Sequence, residues 1–434
     1  MGIYSFEEAF GTCDKTTGQM RQAIKEWFDL YYGKAADGGD PCQRIAYCAV
    51  SKLVRTIFGE YSAASQDPVT EKLLQSLSVV GGKAMELALV GGSCFIKPCL
   101  TKTGFAFSVI PRNNVLIFGR NSAGEATDVG TIAHSTQGRY YYTLLERRSV
   151  DEQGFLTIQN RLFRSVNRQN PGIEVPLSSH PEYSALAPCY RYDLPLGGVG
   201  LVQVKTPMLN CVDGSEDGVS VYAAAVELIR NIDENEAQLR EEFRRGQSRL
   251  VVSRDLLKDD GRGNQILTDH LFVGLDEDPE QVGITIFSPA LRQQAYLERK
   301  QEYLRNVESV VGLKRGMLSD ANMEDRTATE ISSSAGDYNL TVIDFQRMWQ
   351  RALEQTVALC GILAKLYGLK EPRPDISIDW GNGILYDEDK VWQDYRQMVA
   401  DGMLMPEIAL GWRFNMPWET PQQRQAIRQR LMGE

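Results

Sequence analysis

The chain has 434 residues, of which 43% are hydrophobic and 24% charged, the composition of an ordinary globular protein of about two to four domains. Its formal net charge of −10 argues against a general nucleic-acid-binding surface, so any contact with DNA should be local or weak. No apolar run approaches the roughly 18 residues of a membrane span, so we expect no membrane association.

Eight cysteines are scattered along the chain without a CxxC pair. The opening MGIYSFEEAF has neither a signal-peptide pattern nor the hydroxyl residue that myristoylation needs. We therefore expect reduced thiols of a cytosolic protein, most of them in the core.

Three helical patterns open the chain. The first repeats an apolar side chain every three or four residues, at Met20, Ile24, Trp27 and Tyr31. A second helix is expected to begin with Asp40 as its cap and Pro41 in its first position. A third runs through EKLLQSLSVVGGKAMELALV.

The hydrophobic period then changes to two, in the runs SCFIKPCL, FAFSVI, VLIFGR, RYYYTLLERR and FLTIQNRLFRSV. In the last run Leu156, Ile158, Leu162 and Val166 alternate with polar residues. This pattern predicts an antiparallel meander with one buried face. Residues 171–218 are rich in Pro, Gly and Ser and predict a loop-rich connection.

Two helices flank a small strand-like segment in the second half of the chain. The first spans SVYAAAVELIRNIDENEAQLREEFRRG and should end at Gly246. The second starts after Pro289 and carries apolar residues a heptad apart, at Leu297, Leu304 and Val311. After the loop LKRGMLSDANMED, a helical pattern extends from Thr327 to about Leu369, with glycines at 336 and 361 as candidate bends.

Motifs that would indicate an enzyme are missing. No Walker A loop or GxSxG occurs, GGVGLV is best interpreted as a turn, and His134, His180 and His270 have no partner at metal-ligand spacing. One alternative stays open, a metal-dependent α+β hydrolase or nuclease. It would use acids around WGNG, namely Asp375, Asp379 and Asp387 with Glu388 and Asp389, although such runs are more often solvated loops.

A basic cluster lies at the end of the first of the two flanking helices and in the residues just after it. It consists of Arg240, Arg244, Arg245, Arg249 and Arg254. These arginines would suit a phosphate backbone or an acidic partner. A solvated helix end, with cations near the negative end of the helix dipole, explains them at least as well.

Four segments resemble portal proteins of tailed bacteriophages, particularly those of Gram-positive hosts. They are DGVSVYAAAVELIRNIDENEAQLREEFRRGQSRLVV, VVGLKRGMLS with RTATEISS, MRQAIKEWFDLYYG, and the C-terminal DGMLMPEIALGWRFNMPWETPQQRQ. They occur in the order of the family and together touch most of the chain. No single motif is very specific, so the ordered set carries the resemblance.

The resemblance implies an α+β portal fold with wing, stem, clip and tunnel-loop helix, assembling into a ring with an axial channel. Carried over, the regions would be a wing at 1–212, stem helices at 213–246 and 289–311, a clip at 247–288, a tunnel loop at 312–326, a long wing helix and return strand at 327–384, and a small C-terminal or crown region at 385–434.

The resemblance also implies a function. The chain would form a non-enzymatic dodecameric ring at one capsid vertex, the conduit for packaging and ejecting double-stranded DNA. Its partners would be its own copies, DNA held non-specifically, the terminase large subunit, a head–tail adaptor, and the major capsid and scaffolding proteins, with no cofactor. It would reside in the virion and, during assembly, in the host cytoplasm. Another phage neck component, such as an adaptor, is an alternative, although adaptors are usually shorter.

Three sets of site residues follow from the same resemblance. The residues expected to face the channel are Lys314, Arg315, Asp320, Asn322, Glu324 and Asp325, with Lys314 and Arg315 as DNA contacts unless they pair with nearby acids. The residues expected to meet terminase or adaptor are Arg249, Arg254, Lys258, Asp259 and Arg262. Thr327 and Glu330 fit a capping box, and with Gly336 they would form the hinge where the loop becomes a helix.

Overall fold

The computed structural model describes residues 4–33, 42–101, 104–246, 249–252, 257–259, 265–267, 284–287, 290–320, 328–381, 388–414, 416–418 and 420–432. The chain divides into two compact units. The larger unit comprises Met1–Ile24, Val50–Val221 and Ser332–Glu434, and the smaller unit comprises Lys25–Ala49 and Tyr222–Ile331.

The described residues combine long helices with antiparallel sheets. The α-helices are α1 (Tyr4–Phe10), α2 (Gly18–Tyr32), α3 (Ile45–Phe58), α4 (Pro68–Gly91), α5 (Val226–Arg245), α6 (Gln293–Val311), α7 (Ala328–Leu366), α8 (Glu388–Ala400), α9 (Pro406–Arg413) and α10 (Pro421–Ile427). The strands of the larger unit are β1 (Ser62–Ala64), β2 (Ser93–Thr101), β3 (Gly104–Pro111), β4 (Val115–Arg120), β5 (Ala126–Gln137), β6 (Tyr140–Val150), β7 (Leu156–Ser165), β8 (Ile173–Val175), β9 (Cys189–Arg191), β10 (Val202–Lys205) and β15 (Ser377–Asp379). Those of the smaller unit are β11 (Arg249–Val252), β12 (Leu257–Asp259), β13 (Gln265–Leu267) and β14 (Ile284–Phe287).

The predicted meander is confirmed only in part, because the five predicted runs divide between two antiparallel sheets of the larger unit. Strands β4, β5, β6, β7 and β8 are neighbours in a six-stranded antiparallel sheet in which β9 also pairs with β7, and β10, β2 and β3 form a second sheet. The predicted strand runs omitted β5, whose apolar pattern is interrupted by Gly130. A Cβ added to Gly130 would lie only 2.6 Å from the ring of Phe6. The Phe6 ring therefore packs where a larger residue at position 130 would place its side chain.

The alternation predicted for β7 holds for Leu156, Ile158 and Leu162, which are buried. It is wrong for Val166, which is 68% exposed. The reason is that β7 ends at Ser165, so Val166 lies beyond the pleat that would turn its side chain inward.

The long helical pattern after Thr327 is confirmed as α7, which has 39 residues. Its buried stripe consists of Tyr338, Val342, Phe345, Trp349, Leu353, Val357, Cys360 and Leu363, as the periodicity predicts. Trp349 meets the ring of Phe58 edge-on at 5.5 Å and packs where Gly81 of α4 has no side chain. The helix runs unbroken through Gly336 and Gly361, since a glycine permits a bend without imposing one.

The N-terminal helices are confirmed, with one corrected boundary. All four apolar residues of α2 that share its predicted face are buried. The predicted start of the next helix is wrong, because α3 begins at Ile45 after Arg44, whose φ of 54° is left-handed and not helical. Asp40 and Pro41 lie outside the described residues.

Helix α4 begins earlier than predicted, at Pro68, because the Asp67 side chain accepts a hydrogen bond from the Thr70 amide at 3.0 Å. By length and composition α4 is apolar enough to cross a membrane, contrary to our expectation that no run would qualify. Such a helix is weak evidence for a span, because core helices pass the same test. Over half of its most apolar window is buried, and it packs on β2 and β3, as a core helix does.

The cysteines correct another expectation. All eight are free thiols, but only Cys94 and Cys360 are buried, while Cys13, Cys189 and Cys211 are exposed. Burial raises the pKa of Cys360 to about 12 and also raises that of Cys94. Those two therefore remain neutral core residues.

Candidate functional site

Helices α5 and α6 lie in the smaller unit, and we call them the stem pair after the stem helices that the resemblance implies. A 3₁₀ turn at Ala223–Ala225 precedes α5, which therefore starts later than the predicted Ser220. Buried apolar residues lie along one part of the pair, at Val226, Ile229 and Ile232 of α5 and at Leu304, Val307 and Val311 of α6. Elsewhere Phe243 and Leu297 are 45% and 46% exposed. The predicted apolar stripes are therefore only partly covered within one chain.

A polar cluster joins the C-terminal end of α5 to the start of α6. Glu242 accepts from the Arg292 amide at 2.9 Å, from Arg292 Nη2 at 2.7 Å and from Tyr296 Oη at 3.1 Å. The hydrogen bonds from Arg292 are the main reason that the pKa of Glu242 is lowered to about 2. Gly246 ends α5 as predicted, where an added Cβ would lie 2.3 Å from Leu291 Cδ2. The chain segments that precede and follow residues 247–288, the predicted clip, are thus held together here.

A second set of polar contacts lies further along the pair. Asn235 Nδ2 donates to the Tyr296 carbonyl at 3.0 Å. Lys300 Nζ donates to Glu236 Oε2 at 3.0 Å and to Gln43 Oε1 at 3.1 Å. These contacts set the register of the two helices where apolar packing is sparse.

The structure describes part of the predicted basic cluster at the C-terminal end of α5. Arg244 Nε and Arg245 Nε donate to the two oxygens of Glu241 at 2.7 and 2.5 Å. These hydrogen bonds, first from Arg244 and then from Arg245, lower the pKa of Glu241 to about 2. For these two arginines the geometry favours the solvated helix end. The Arg249 side chain and all of Arg254 lie outside the described residues.

The loop base, defined here as Gly312–Asp320, leaves the C-terminus of α6 in a fixed conformation. Gly312 is left-handed with φ 76°, and the Leu313 amide donates to the Glu308 carbonyl at 2.8 Å, the bond of a Schellman cap. A four-residue turn follows, closed by the Met317 amide on the Lys314 carbonyl at 3.1 Å. Its third residue, Gly316, has φ 91°, which a type II turn requires.

The Glu308 side chain organises the rest of the loop base. Its carboxylate is buried and accepts from the Gly316 amide at 3.1 Å, from the Leu318 and Ser319 amides at 2.5 and 2.9 Å, and from Ser319 Oγ at 2.8 Å. Beyond it, the Asp320 amide donates to Gln301 Oε1 at 2.8 Å. The side chains of Glu308 and Gln301 therefore bind the loop base to α6.

The loop base presents two adjacent cations. Lys314 and Arg315 are exposed in its turn, and Asp320 is exposed at its end. Within the described part of the chain, neither cation forms an ion pair with an acid. Glu324 and Asp325, the acids of the predicted loop that follow, lie outside that part.

The other predicted site residues are described only in part. Outside the described residues lie Asn322, Glu324, Asp325, Thr327, Arg254 and Arg262. Helix α7 begins at Ala328, immediately after Thr327, and Glu330 and Gly336 lie in its first nine residues. Arg249 lies on β11, which pairs with β14, and Lys258 and Asp259 lie on β12, which pairs with β13. The roles predicted for these residues stay predictions.

The structure describes the side chains of only two acids of the alternative metal site, Asp375 and Asp379, and these belong to no metal-binding cluster of described residues. Asp375 and Asp379 are exposed in the larger unit, and Asp379 accepts from the Gly381 amide at 2.9 Å. Asp387 lies outside the described residues. Across the described ranges, no group of three or more His, Cys, Asp or Glu side chains is arranged to hold a metal ion.

Sequence reasoning missed Glu308, Gln301 and Ser319. One signal was available, since Glu308 stands in the last turn of α6, where a carboxylate opposes the helix dipole. An acid in that position is tolerated when other groups compensate for it, as the loop amides do here. When a sequence places a carboxylate at the C-terminal end of a helix and shows no nearby cation to offset the dipole, a tertiary hydrogen-bond partner should be expected.

Comparison with known proteins gives the family. The family model for phage portal proteins, SPP1 Gp6-like, matches residues 95–429. No curated protein matches the chain significantly. Among the matching solved structures is a chain from the neck of a native GTA particle computed with C12 symmetry. It is 12% identical with a TM-score of 0.45, and the alignment covers 94% of this chain and 97% of that chain. Because the family model matches well over half of the sequence, the chain belongs to the phage portal proteins, structural head–tail connectors with an α+β fold, as the resemblance predicted.

Proposed function

We propose that twelve copies of the chain form a ring at one capsid vertex, and that double-stranded DNA passes through its channel during packaging and ejection. Membership of the portal family over residues 95–429 supports this role. The role is structural, and a separate ATPase, the terminase large subunit, drives packaging. The exposed Lys314–Arg315 turn on a fixed loop base is the observation that carries the DNA contact.

The charge distribution suits a sliding contact. Each lysine or arginine on a phosphate adds attraction that falls with salt concentration, so many such contacts would hold DNA in place. The chain carries a formal net charge of −10, and the loop base adds two adjacent cations. A few cations per subunit on an acidic ring would guide DNA without trapping it.

Incomplete burial in the smaller unit supports assembly. Large apolar side chains of the stem pair and of the segment before α6 are exposed, namely Phe243, Leu291, Leu297 and Val310. The described strands of the clip form only two-stranded sheets, which are marginal alone. Neighbouring copies in a ring would cover the apolar residues and complete the clip.

The clip is the proposed docking surface for partners. Its charged residues Arg249, Arg254, Lys258, Asp259 and Arg262 would meet the terminase large subunit during packaging and a head–tail adaptor afterwards. The major capsid and scaffolding proteins would surround the ring. The protein would assemble in the host cytoplasm and remain in the virion.

Microscopy tests the ring. Negative-stain images of the purified chain over a wide concentration range, and of particles that contain it, should show rings of twelve subunits. Dilute samples can be monomeric before assembly, so the decisive sample is the particle. Particles that contain the chain without any ring would overturn the proposal.

Packaging assays test the DNA contact. The double variant Lys314→Gln, Arg315→Gln should assemble normally and package less DNA with its cognate terminase, with a weaker dependence on salt. The matched control is Arg347→Gln, Lys365→Gln, which removes the same charge from α7 of the larger unit. Equal packaging by both double variants would show that the Lys314–Arg315 turn does not guide DNA.

A further inference from the structure

Glu308 places a buried carboxylate beneath the cationic turn. It is 1% exposed, and its carboxylate accepts hydrogen bonds from three amides and one hydroxyl of the loop base. A buried carboxylate without donors is strongly unfavourable, and loop amides without an acceptor are unfavourable too. Helix end and loop base therefore satisfy each other.

The bonded amides lie immediately after the cations. Lys314 and Arg315 occupy the first two positions of the turn, and Gly316, the third, donates to both oxygens of Glu308, at 3.1 and 3.2 Å. Before the turn, Leu313 is buried and its amide is bound to the Glu308 carbonyl. The same residue thus holds the turn on both sides, through its main chain and its side chain.

We propose that Glu308 is a positioning residue that holds Lys314 and Arg315 at one place relative to α6, so that each subunit offers its cations to DNA in the same position. The DNA part of this inference rests on the proposed function. The positioning part concerns the conformation of the loop base and stands separately. Glu308 itself does not touch DNA, since its carboxylate is buried and already bonded.

Hydrogen exchange and proteolysis test the positioning. In Glu308→Gln, which keeps the shape and removes the charge, the amides of Gly316, Leu318 and Ser319 should exchange about tenfold faster or more, because charge-assisted hydrogen bonds are lost. Trypsin should also cut faster after Lys314 and Arg315. The control is Glu302→Gln on the same helix. The Glu302 carboxylate is 62% exposed, and its ion pair with Arg305 is long, at 3.6 Å. Unchanged exchange and cleavage in Glu308→Gln would overturn the proposal.

A milder variant guards against a failure to fold. Ser319→Ala keeps the carboxylate and removes only the hydroxyl bond of 2.8 Å. It should speed exchange at the same amides by about threefold, as expected for the loss of one hydrogen bond. If Glu308→Gln does not fold and Ser319→Ala leaves exchange unchanged, the side chain does not organise the loop base and the proposal is wrong.

A double-mutant cycle separates positioning from general stability. If Glu308 acts through Lys314 and Arg315, Glu308→Gln should reduce DNA packaging in the wild-type ring and have no further effect in a Lys314→Gln, Arg315→Gln ring. Additive losses would mean that Glu308 acts by another route. Normal packaging by the double variant alone, with faster exchange in Glu308→Gln, would reject the DNA role of the turn and leave the positioning of the loop base intact.

Discussion

Helix α7, from Tyr338 onward, and the stem pair are both long helical structures, but different interactions stabilise them. The apolar stripe of α7 is covered within the larger unit, where Trp349 packs on Phe58. In the stem pair Phe243 and Leu297 remain about half exposed, and charged hydrogen bonds hold the helices in register. One region completes its core alone, while the other has a surface that other copies would cover.

The difference teaches where to look for assembly and function. A region whose apolar surface is already buried within its own chain gains little further burial when copies assemble. A region with exposed apolar residues beside well-satisfied charges is suited to meet another copy, since burial adds stability only when a partner arrives. Substitutions in the two regions should therefore differ in what they disturb.

The largest effect is expected in the core of the larger unit. Trp349→Ala should lower the free energy of unfolding by about 3–5 kcal/mol, because it removes a fully buried ring and leaves a cavity. Denaturant titration followed by circular dichroism measures this. Arg347→Ala, exposed on the same helix, should change stability by less than about 0.5 kcal/mol. Equal midpoints for the two variants would contradict the contrast.

The second-largest expected effect is a pH-dependent loss of stability, caused by Glu146 in the larger unit. Burial favours a raised pKa for Glu146, but Arg148 and Lys97 outweigh it and lower the pKa to about 2. With the folded pKa depressed below its unfolded value of 4.5, its stabilisation is present above pH 4.5 and is lost as pH falls towards 2. The amount is on the order of 3 kcal/mol.

Acid titration of unfolding checks this prediction. Glu146→Gln should be less stable than the wild type at neutral pH and should lose less stability between pH 5 and about pH 2. The exposed Glu152→Gln variant should follow the wild-type profile. A Glu146→Gln profile parallel to that of the wild type would show that Glu146 does not carry the acid sensitivity.

A smaller effect is expected where α5 ends. Gly246→Ala would place a Cβ against Leu291 and should cost about 1–3 kcal/mol in thermal unfolding, with Leu291→Ala restoring part of the loss. In the larger unit, an added Cβ at Gly92 would lie 2.1 Å from the Gly218 carbonyl oxygen, and the φ there is 77°. Gly92→Ala should cost more, since main chain yields less than a side chain. No rescue by Leu291→Ala would mean that another contact limits Gly246.

The smallest effect on stability, with the clearest effect on assembly, is expected for Leu297→Ser. Because Leu297 is half exposed in a single chain, the free energy of unfolding of the monomer should change by less than about 0.5 kcal/mol. Mass photometry should nevertheless show fewer rings at a given concentration. Glu298→Ser, the neighbouring exposed position, is the control. Normal rings from Leu297→Ser would place this residue outside the interface.

Much of the fold could be predicted because periodicity is a local property of the chain. The stripe from Tyr338 to Leu363 and the face from Met20 to Tyr31 were correct, since both helices bury one continuous side. The pattern failed where tertiary packing overrode it. Gly130 interrupts the apolar pattern of β5 because the ring of Phe6 packs against it, so the strand was not predicted. Arg44 has a left-handed conformation, so α3 begins later than predicted.

The candidate site was predictable in its exposed part only. Lys314 and Arg315 were named because the resemblance to portal proteins places them in the tunnel loop, and both are exposed in the structure. Glu308 was not, because its partners lie eight to eleven residues away and meet it only after Gly312 and Gly316 turn the chain back. No helical or strand spacing encodes that approach.

The sequence by itself therefore determined the types and order of the main elements, their apolar faces and the portal family. Tertiary structure alone decided which of those faces are covered. Leu297 and Leu304 are equivalent in the heptad of α6, yet the first is half exposed and the second is buried. Spacing places a side chain on a face of its own helix, whereas burial depends on which other surface meets that face.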